Sequence, residues 1–69
     1  MSHKGFRYAY PIKSGNQASL GKEMDLVGNA YELAGWREVD FIPEEGFPTH
    51  IVFEWQHDGI PIYPSVDFS

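Results

Sequence analysis

Residues 19–36 read SLGKEMDLVGNAYELAGW, the only stretch of the chain with a sustained helical period. At about 100° per residue, its apolar positions fall on one wide arc, as in a helix that packs on a sheet. Ser19 is the predicted N-cap, and Gly35 suits the left-handed position that ends a helix. The stretch therefore predicts one sheet-covering helix, whose apolar arc contains Leu20, Met24, Val27, Tyr31 and Ala34, flanked by Leu26, Ala30 and Leu33.

Three glycines in this stretch, Gly21, Gly28 and Gly35, are spaced by seven residues. Gly28 lies in the middle of the predicted helix, where glycine costs about 1 kcal/mol relative to alanine. The spacing is compatible with a groove that a second helix or strand approaches closely. It is equally compatible with a glycine that is simply tolerated, which is the interpretation we favour.

Alternating apolar residues before and after the helix predict strands. The predicted inward-facing sets are Phe6, Tyr8 and Tyr10, then Val39 and Phe41, then Ile51, Phe53 and Trp55. Asp58-Gly59 is a two-residue hairpin signal, so a short fourth strand or an extended tail would follow it. The fold class is therefore α+β, a β-α-β-β(-β) two-layer sandwich with one helix on a small, mostly antiparallel sheet. We expect one domain over residues 1–69, with a flexible start at 1–4 and an apolar extended tail at 60–69.

Composition narrows the range of functions. The 69 residues contain no cysteine, which fits a reducing cytoplasm, and we predict no membrane span, no signal peptide and a cytoplasmic location. The net charge is −5, and its distribution is uneven: the first 22 residues carry four cations and no acid, whereas the remainder carries ten acids against Arg37. We do not expect direct nucleic-acid binding, because such binding depends on neutralising phosphates and the net charge of this chain is negative. Eleven aromatic residues in so short a chain favour self-association.

The sheet face away from the helix is the first candidate site. We predict that it carries five charged candidate binding residues, Arg7, Glu38, Asp40, His50 and Glu54. His50 with Asp40 or Glu38 across the hairpin would be a carboxylate–histidine pair suited to general-base catalysis. We favour a solvated face with cross-strand salt bridges, because no nucleophile accompanies the pair. No cofactor and no metal site is predicted, since too few convergent ligands are present.

The tail is the second candidate site, because it holds too many large apolar residues to remain in water. We expect it to dock on the open face of its own domain, on a twin subunit or on a partner protein. Pro61-Ile62-Tyr63-Pro64 has the Pro-x-x-Pro form that binds aromatic grooves, although no Arg or Lys flanks it. The candidate binding residues of the tail are Ile60, Ile62, Tyr63 and Phe68.

The order helix, Gly35-Trp36, strand and hairpin resembles short bacterial and phage domains of unknown function that carry a Leu…Gly-Trp-Glu-Leu segment. The resemblance covers residues 6–56 in layout and rests on Leu33, Gly35 and Trp36, while Arg37 stands where those domains usually have Glu. It implies the same fold and no particular activity.

We favour the hypothesis of a small acidic, non-enzymatic protein that acts through protein–protein contacts and is itself a homo-oligomer, in the manner of viral or accessory regulators of host factors. The alternative is an oligomeric protein that binds a nucleotide or acidic metabolite in a pocket between subunits, with Arg7, His50 and Tyr63 as polar contacts. A third hypothesis, a small hydrolase or isomerase, would use His50 with Asp40.

Overall fold

The computed structural model describes residues 2–66 and contains one helix and three strands. The elements are β1 (Arg7–Pro11), α1 (Gln17–Ala34), β2 (Trp36–Ile42) and β3 (His50–Trp55). Both strand pairs are antiparallel, and the order in the sheet is β1-β3-β2. The helix packs on one face of this open sheet, which confirms the predicted α+β class.

The helix begins earlier than predicted and ends where predicted. Asn16, not Ser19, is the N-cap, because its side-chain Oδ1 accepts a hydrogen bond of 2.9 Å from the Ser19 backbone N–H. At the other end Gly35 has φ +118°, and its N–H donates to the carbonyls of Tyr31 and Glu32 at 3.1 Å. A Cβ on Gly35 would lie 2.5 Å from Cδ2 of His57, so both the backbone angle and the space require glycine.

The core lies between α1 and the sheet. Ile51 and Phe53 of the central strand are each 1% exposed and contact the helix side, as predicted. The buried arc of α1 is narrower than predicted, since Leu33 is 90% exposed. Leu33 follows Tyr31 by two residues, about 200° around the helix, and therefore points away from the sheet. The core cluster consists of Tyr10, Val27, Tyr31, Trp36, Ile51, Phe53 and Trp55.

A β-bulge in β2 changes which of its side chains face the helix. Glu38 pairs with Phe53 and Asp40 pairs with Val52, so Val39 is an extra residue between two consecutive pairs. Directly opposed residues share a face. Glu38 therefore lies on the helix side, and the prediction that it lies on the open face is wrong. The prediction of an inward-facing Val39 is also wrong, while Phe41 packs against the core as expected.

Up to residue 66, where the described part of the chain ends, the segment after β3 is an extended tail and contains no fourth strand. Residues 57–59 make a bend without a hairpin, so the interpretation of Asp58-Gly59 as a hairpin turn is wrong. Pro61 and Pro64 cannot donate to a strand ladder, which leaves the extended alternative. The start of the chain, predicted to be flexible, makes two hydrogen bonds to Asp58, one from Ser2 Oγ at 2.7 Å and one from the His3 backbone N–H at 3.3 Å.

Candidate functional site

The sheet face away from α1 carries four of the five predicted charged residues. Arg7 Nε lies 3.3 Å from Glu54 Oε2 in a cross-strand ion pair. The Arg7 side chain is 60% exposed, so water screens this pair and limits its contribution to stability. Asp40 and His50 lie further along the same face, opposite Val52 and Ile42.

The predicted carboxylate–histidine pair does not form a hydrogen bond. Asp40 Oδ1 accepts a bond of 2.8 Å from the backbone N–H of Phe41. His50 Nδ1 lies 2.9 Å from Oγ1 of Thr49. Because Asp40 is opposite Val52, it stands diagonal to His50 in the ladder. Each side chain thus has a local partner, an arrangement typical of a solvated sheet face.

The tail lies on the helix-bearing face, attached to its own domain. The Trp36 indole Nε1–H donates to the Ile62 carbonyl at 2.6 Å, and the Trp55 indole Nε1–H donates to the Gly59 carbonyl at 2.8 Å. The Tyr63 ring stands edge-on to Tyr8, with centroids 5.1 Å apart, and 5.3 Å from Trp36. Of the three docking places that the sequence left open, the chain uses its own domain, but not the open face. We call Tyr8, Trp36 and Trp55 the aromatic cradle.

The attached tail exposes apolar side chains to solvent. Ile60 is 78% exposed, Ile62 61% and Tyr63 51%, although the backbone that bears them is held by the cradle. Phe6, also half exposed, lies 6.3 Å from the Trp36 ring at the same end of the molecule. We call Phe6, Ile60, Ile62 and Tyr63 the apolar ridge. Phe68, the remaining predicted tail contact, lies outside the described residues.

A groove of about 560 Å³ runs between α1 and β2 beside Trp36. Three acidic residues, Asp25, Glu32 and Glu38, line it together with Arg37. Gly28 lines the same groove, and a Cβ there would meet no atom within 4 Å. Among the described residues, therefore, nothing approaches Gly28 closely enough to require a glycine there. We call this the acidic groove.

The sequence analysis missed a buried carboxylate at the start of α1. Glu23 is 3% exposed, and its two oxygens accept hydrogen bonds from the backbone N–H groups of Lys13 and Ser14, from Ser14 Oγ and from the Tyr10 hydroxyl, at 2.6–3.2 Å. We call this set the Glu23 lock. The sequence did contain a signal for its burial. Glu23 lies three residues after Leu20 and four before Val27, so it falls on the same buried face of the helix.

Burial and the hydrogen bonds of the Glu23 lock shift the pKa values of Glu23 and Tyr10. Burial raises the pKa of Glu23, but the hydrogen bonds from Ser14, from the Lys13 backbone and from Tyr10 outweigh it and hold the pKa below its usual range. Burial and the hydrogen bond to Glu23 raise the pKa of Tyr10. In the core, burial together with nearby Tyr8 and Tyr63 raises the pKa of Tyr31 to about 12. The hydrogen bonds of Glu23 join the loop after β1 to the start of α1.

The polar contacts proposed for a small-molecule pocket do not converge within one chain. Arg7 and His50 lie at opposite ends of the open face, and Tyr63 lies on the other side of the sheet. That hypothesis requires two subunits. Within the described part of the chain, no three acidic or histidine side chains are grouped closely enough to hold a metal ion.

Comparison with protein-family models, curated proteins and solved structures gives no match for this chain. Over residues 2–66, the structure contains no helix that combines the length and the apolar character needed to cross a membrane.

Proposed function

We propose that this chain is a small acidic protein-binding module without catalytic activity, and that the apolar ridge is its contact surface. The supporting observation is the combination of exposure and rigid attachment at Ile62. Its side chain is 61% exposed, while its carbonyl accepts a hydrogen bond of 2.6 Å from the buried Trp36. An apolar side chain on a fixed backbone loses little conformational entropy when it is buried by a partner.

The size of the ridge also favours protein contact. Its four side chains together expose on the order of 400 Å², within the range of the largest apolar patches on monomers, which are often functional. Aromatic and aliphatic anchors of this kind carry most of the binding energy in protein interfaces. The open face carries the screened Arg7–Glu54 pair, hydrogen-bonded polar groups and the half-exposed Ile42, so it has fewer exposed apolar side chains and is the poorer contact surface.

Affinity capture from the source cell with matched variants tests the proposal. Replacing Ile60 and Ile62 by Ser removes the most exposed ridge side chains, and Leu33→Ser removes an apolar side chain of equal or greater exposure on α1. We expect one partner that the wild-type chain and Leu33→Ser both retain and that the ridge variant loses. Identical retention by all three chains would contradict the assignment of the ridge.

We propose further that copies of the chain associate through the same ridge, because it can also be buried against itself in a symmetric dimer. Light scattering at micromolar concentration should then show a dimer or larger species. The ridge variant should shift the population toward monomer, whereas Leu33→Ser should not. A wild-type chain that stays monomeric would remove self-association from the proposal and leave the partner contact intact.

A further inference from the structure

The tail contacts its own domain as a bound peptide contacts a receptor. Two indole N–H groups, from Trp36 and Trp55, donate to tail-side carbonyls. Among the described residues, no backbone–backbone hydrogen bond involves the peptide groups of residues 59–66. Proline-rich peptides bind in this way, because their extended backbone makes no internal hydrogen bonds and packs on grooves lined by aromatic side chains.

The two prolines of the tail favour an extended backbone. Pro61 and Pro64 fix their own φ angles, and the residues before them are restricted to extended conformations. Gly59 and Ile62 are three residues apart, which is about one turn of polyproline II helix, so their carbonyls face the same side. The two donors belong to one cluster, since the Trp36 and Trp55 rings meet edge to face with centroids 5.2 Å apart. Backbone carbonyls carry these contacts, so other proline-bounded segments can make them.

The acidic groove beside Trp36 supplies a contact that the tail itself does not use. Three acidic residues and one Arg line it, whereas residues 59–66 contain no Lys or Arg. A segment that combines the Pro-x-x-Pro spacing with a flanking basic residue would fill both the cradle and the groove. Such a segment would gain an interaction over the resident tail.

We propose that the aromatic cradle is a binding site for an extended Pro-x-x-Pro segment of another protein with a flanking Arg or Lys, and that residues 59–66 occupy it as an intramolecular ligand. The inference goes beyond the proposed function, because the cradle beneath the tail is a contact surface distinct from the apolar ridge. The tail of a second copy is the less favoured occupant, because it offers the same contacts as the resident tail. It would have to displace a segment tethered at an effective concentration on the order of 1 mM.

A peptide titration of the full chain tests this site. The acceptors are the wild-type chain and Tyr63→Ala, which weakens the resident tail by removing its ring contacts with Tyr8 and Trp36. The probes are the peptide Gly-Ile-Pro-Ile-Tyr-Pro-Ser-Val, two versions with Arg in place of the Gly or the Ser, and counterparts with both prolines changed to Ala. The readout is the NMR resonance of the Trp36 indole N–H.

We expect Tyr63→Ala to bind at least one Arg peptide about tenfold more tightly than the wild-type chain does, because the tethered tail no longer competes effectively. The same peptide should bind about tenfold more tightly than its proline-free counterpart. Its affinity should also be higher than that of the Arg-free peptide. Combining Glu32→Gln with Glu38→Gln should abolish the gain from Arg and leave binding of the Arg-free peptide unchanged.

Several results would overturn the proposal. One is an unshifted Trp36 indole resonance with every peptide at several millimolar in a folded Tyr63→Ala chain. Another is equal affinity with and without Arg or the prolines. If Tyr63→Ala fails to fold, the wild-type chain at peptide concentrations above that of the tether gives the same test. Nuclear Overhauser contacts from Tyr63 of one copy to Tyr8 of another would assign the cradle to a second copy. Ridge-dependent capture alongside failed peptide binding would retain the proposed function and reject only this site.

Discussion

The two ends of α1 hold their neighbouring segments in opposite ways. At the N-terminal end, the buried Glu23 carboxylate accepts hydrogen bonds from the loop that follows β1. At the C-terminal end, the chain turns at Gly35 into Trp36, whose neutral indole holds the exposed tail. A buried, fully bonded charge is costly to separate from its donors, whereas a half-exposed tail on neutral donors is not. We infer that the first end determines stability and the second end is available for recognition.

The largest expected effect comes from breaking the Glu23 lock. Glu23→Ala leaves the backbone N–H groups of Lys13 and Ser14 and the Tyr10 hydroxyl without their acceptor, so we expect a loss of about 3 kcal/mol in the free energy of unfolding. That is a large fraction of the roughly 3–10 kcal/mol available to a chain of this length. Urea unfolding measures the loss. Asp25→Ala, in the same turn but exposed, is the control and should change stability by less than about 0.5 kcal/mol.

Acid should weaken the same end without any substitution. Folding lowers the pKa of Glu23 below its unfolded value. The ionised lock therefore contributes fully above the unfolded pKa of about 4.3, and its contribution is lost as the pH falls through the lower folded pKa. Urea unfolding of the wild-type chain and of Glu23→Gln from pH 7 to pH 2 should show a smaller acid-dependent loss in the variant. If the free energy of unfolding fell equally with pH in both chains, other carboxylates would be the cause of the acid sensitivity.

Gly28 and Gly35 differ in the room and the backbone angle that a new side chain would meet. Gly35→Ala places a Cβ against His57 at a φ of +118°, and we expect it to cost about 2 kcal/mol or more. Gly28→Ala places a Cβ in open space within the helix and should stabilise the chain by about 0.5–1 kcal/mol. Thermal unfolding of the two variants measures the contrast. Loss of partner binding in a stabilised Gly28→Ala chain would show that the acidic groove must remain open.

The smallest stability effect should come from the tail. Tyr63→Ala removes ring contacts with Tyr8 and Trp36 and should cost about 1 kcal/mol. Ile60→Ala, at a side chain that is 78% exposed, should cost less than about 0.5 kcal/mol. Chemical denaturation monitored by tryptophan fluorescence compares them. A loss from Tyr63→Ala as large as that from Glu23→Ala would contradict the division between a stabilising end and a recognition end.

The elements and the sheet core follow from periodicity, and this part of the fold could be predicted from sequence. The two-residue period of Ile51, Phe53 and Trp55 gave the buried face of the central strand correctly, and the αL glycine after Ala34 gave the end of the helix. The bulge at Val39 could not be seen in the same way. One extra residue leaves the local alternation intact while it exchanges the faces of Glu38 and its neighbours.

The candidate site was only partly predictable. The apolar content of the tail required a docking surface, and the tail contacts Tyr8 and Trp36. The face could not be chosen from sequence, since it depends on where the chain brings the indole N–H groups of Trp36 and Trp55 together. The lock had a readable signal in the position of Glu23, but its donors lie in a loop whose path only the fold defines.

The most direct test of the account is the hydrogen exchange of the two tryptophan indole N–H groups in the intact chain, combined with ring contacts of Tyr63 in solution. We predict that the indole N–H of Trp36 exchanges slowly and that Tyr63 shows nuclear Overhauser contacts to Tyr8, since the tail occupies the cradle. Rapid exchange at Trp36 with no contact between Tyr63 and Tyr8 would contradict an occupied cradle and, with it, both proposals for the tail.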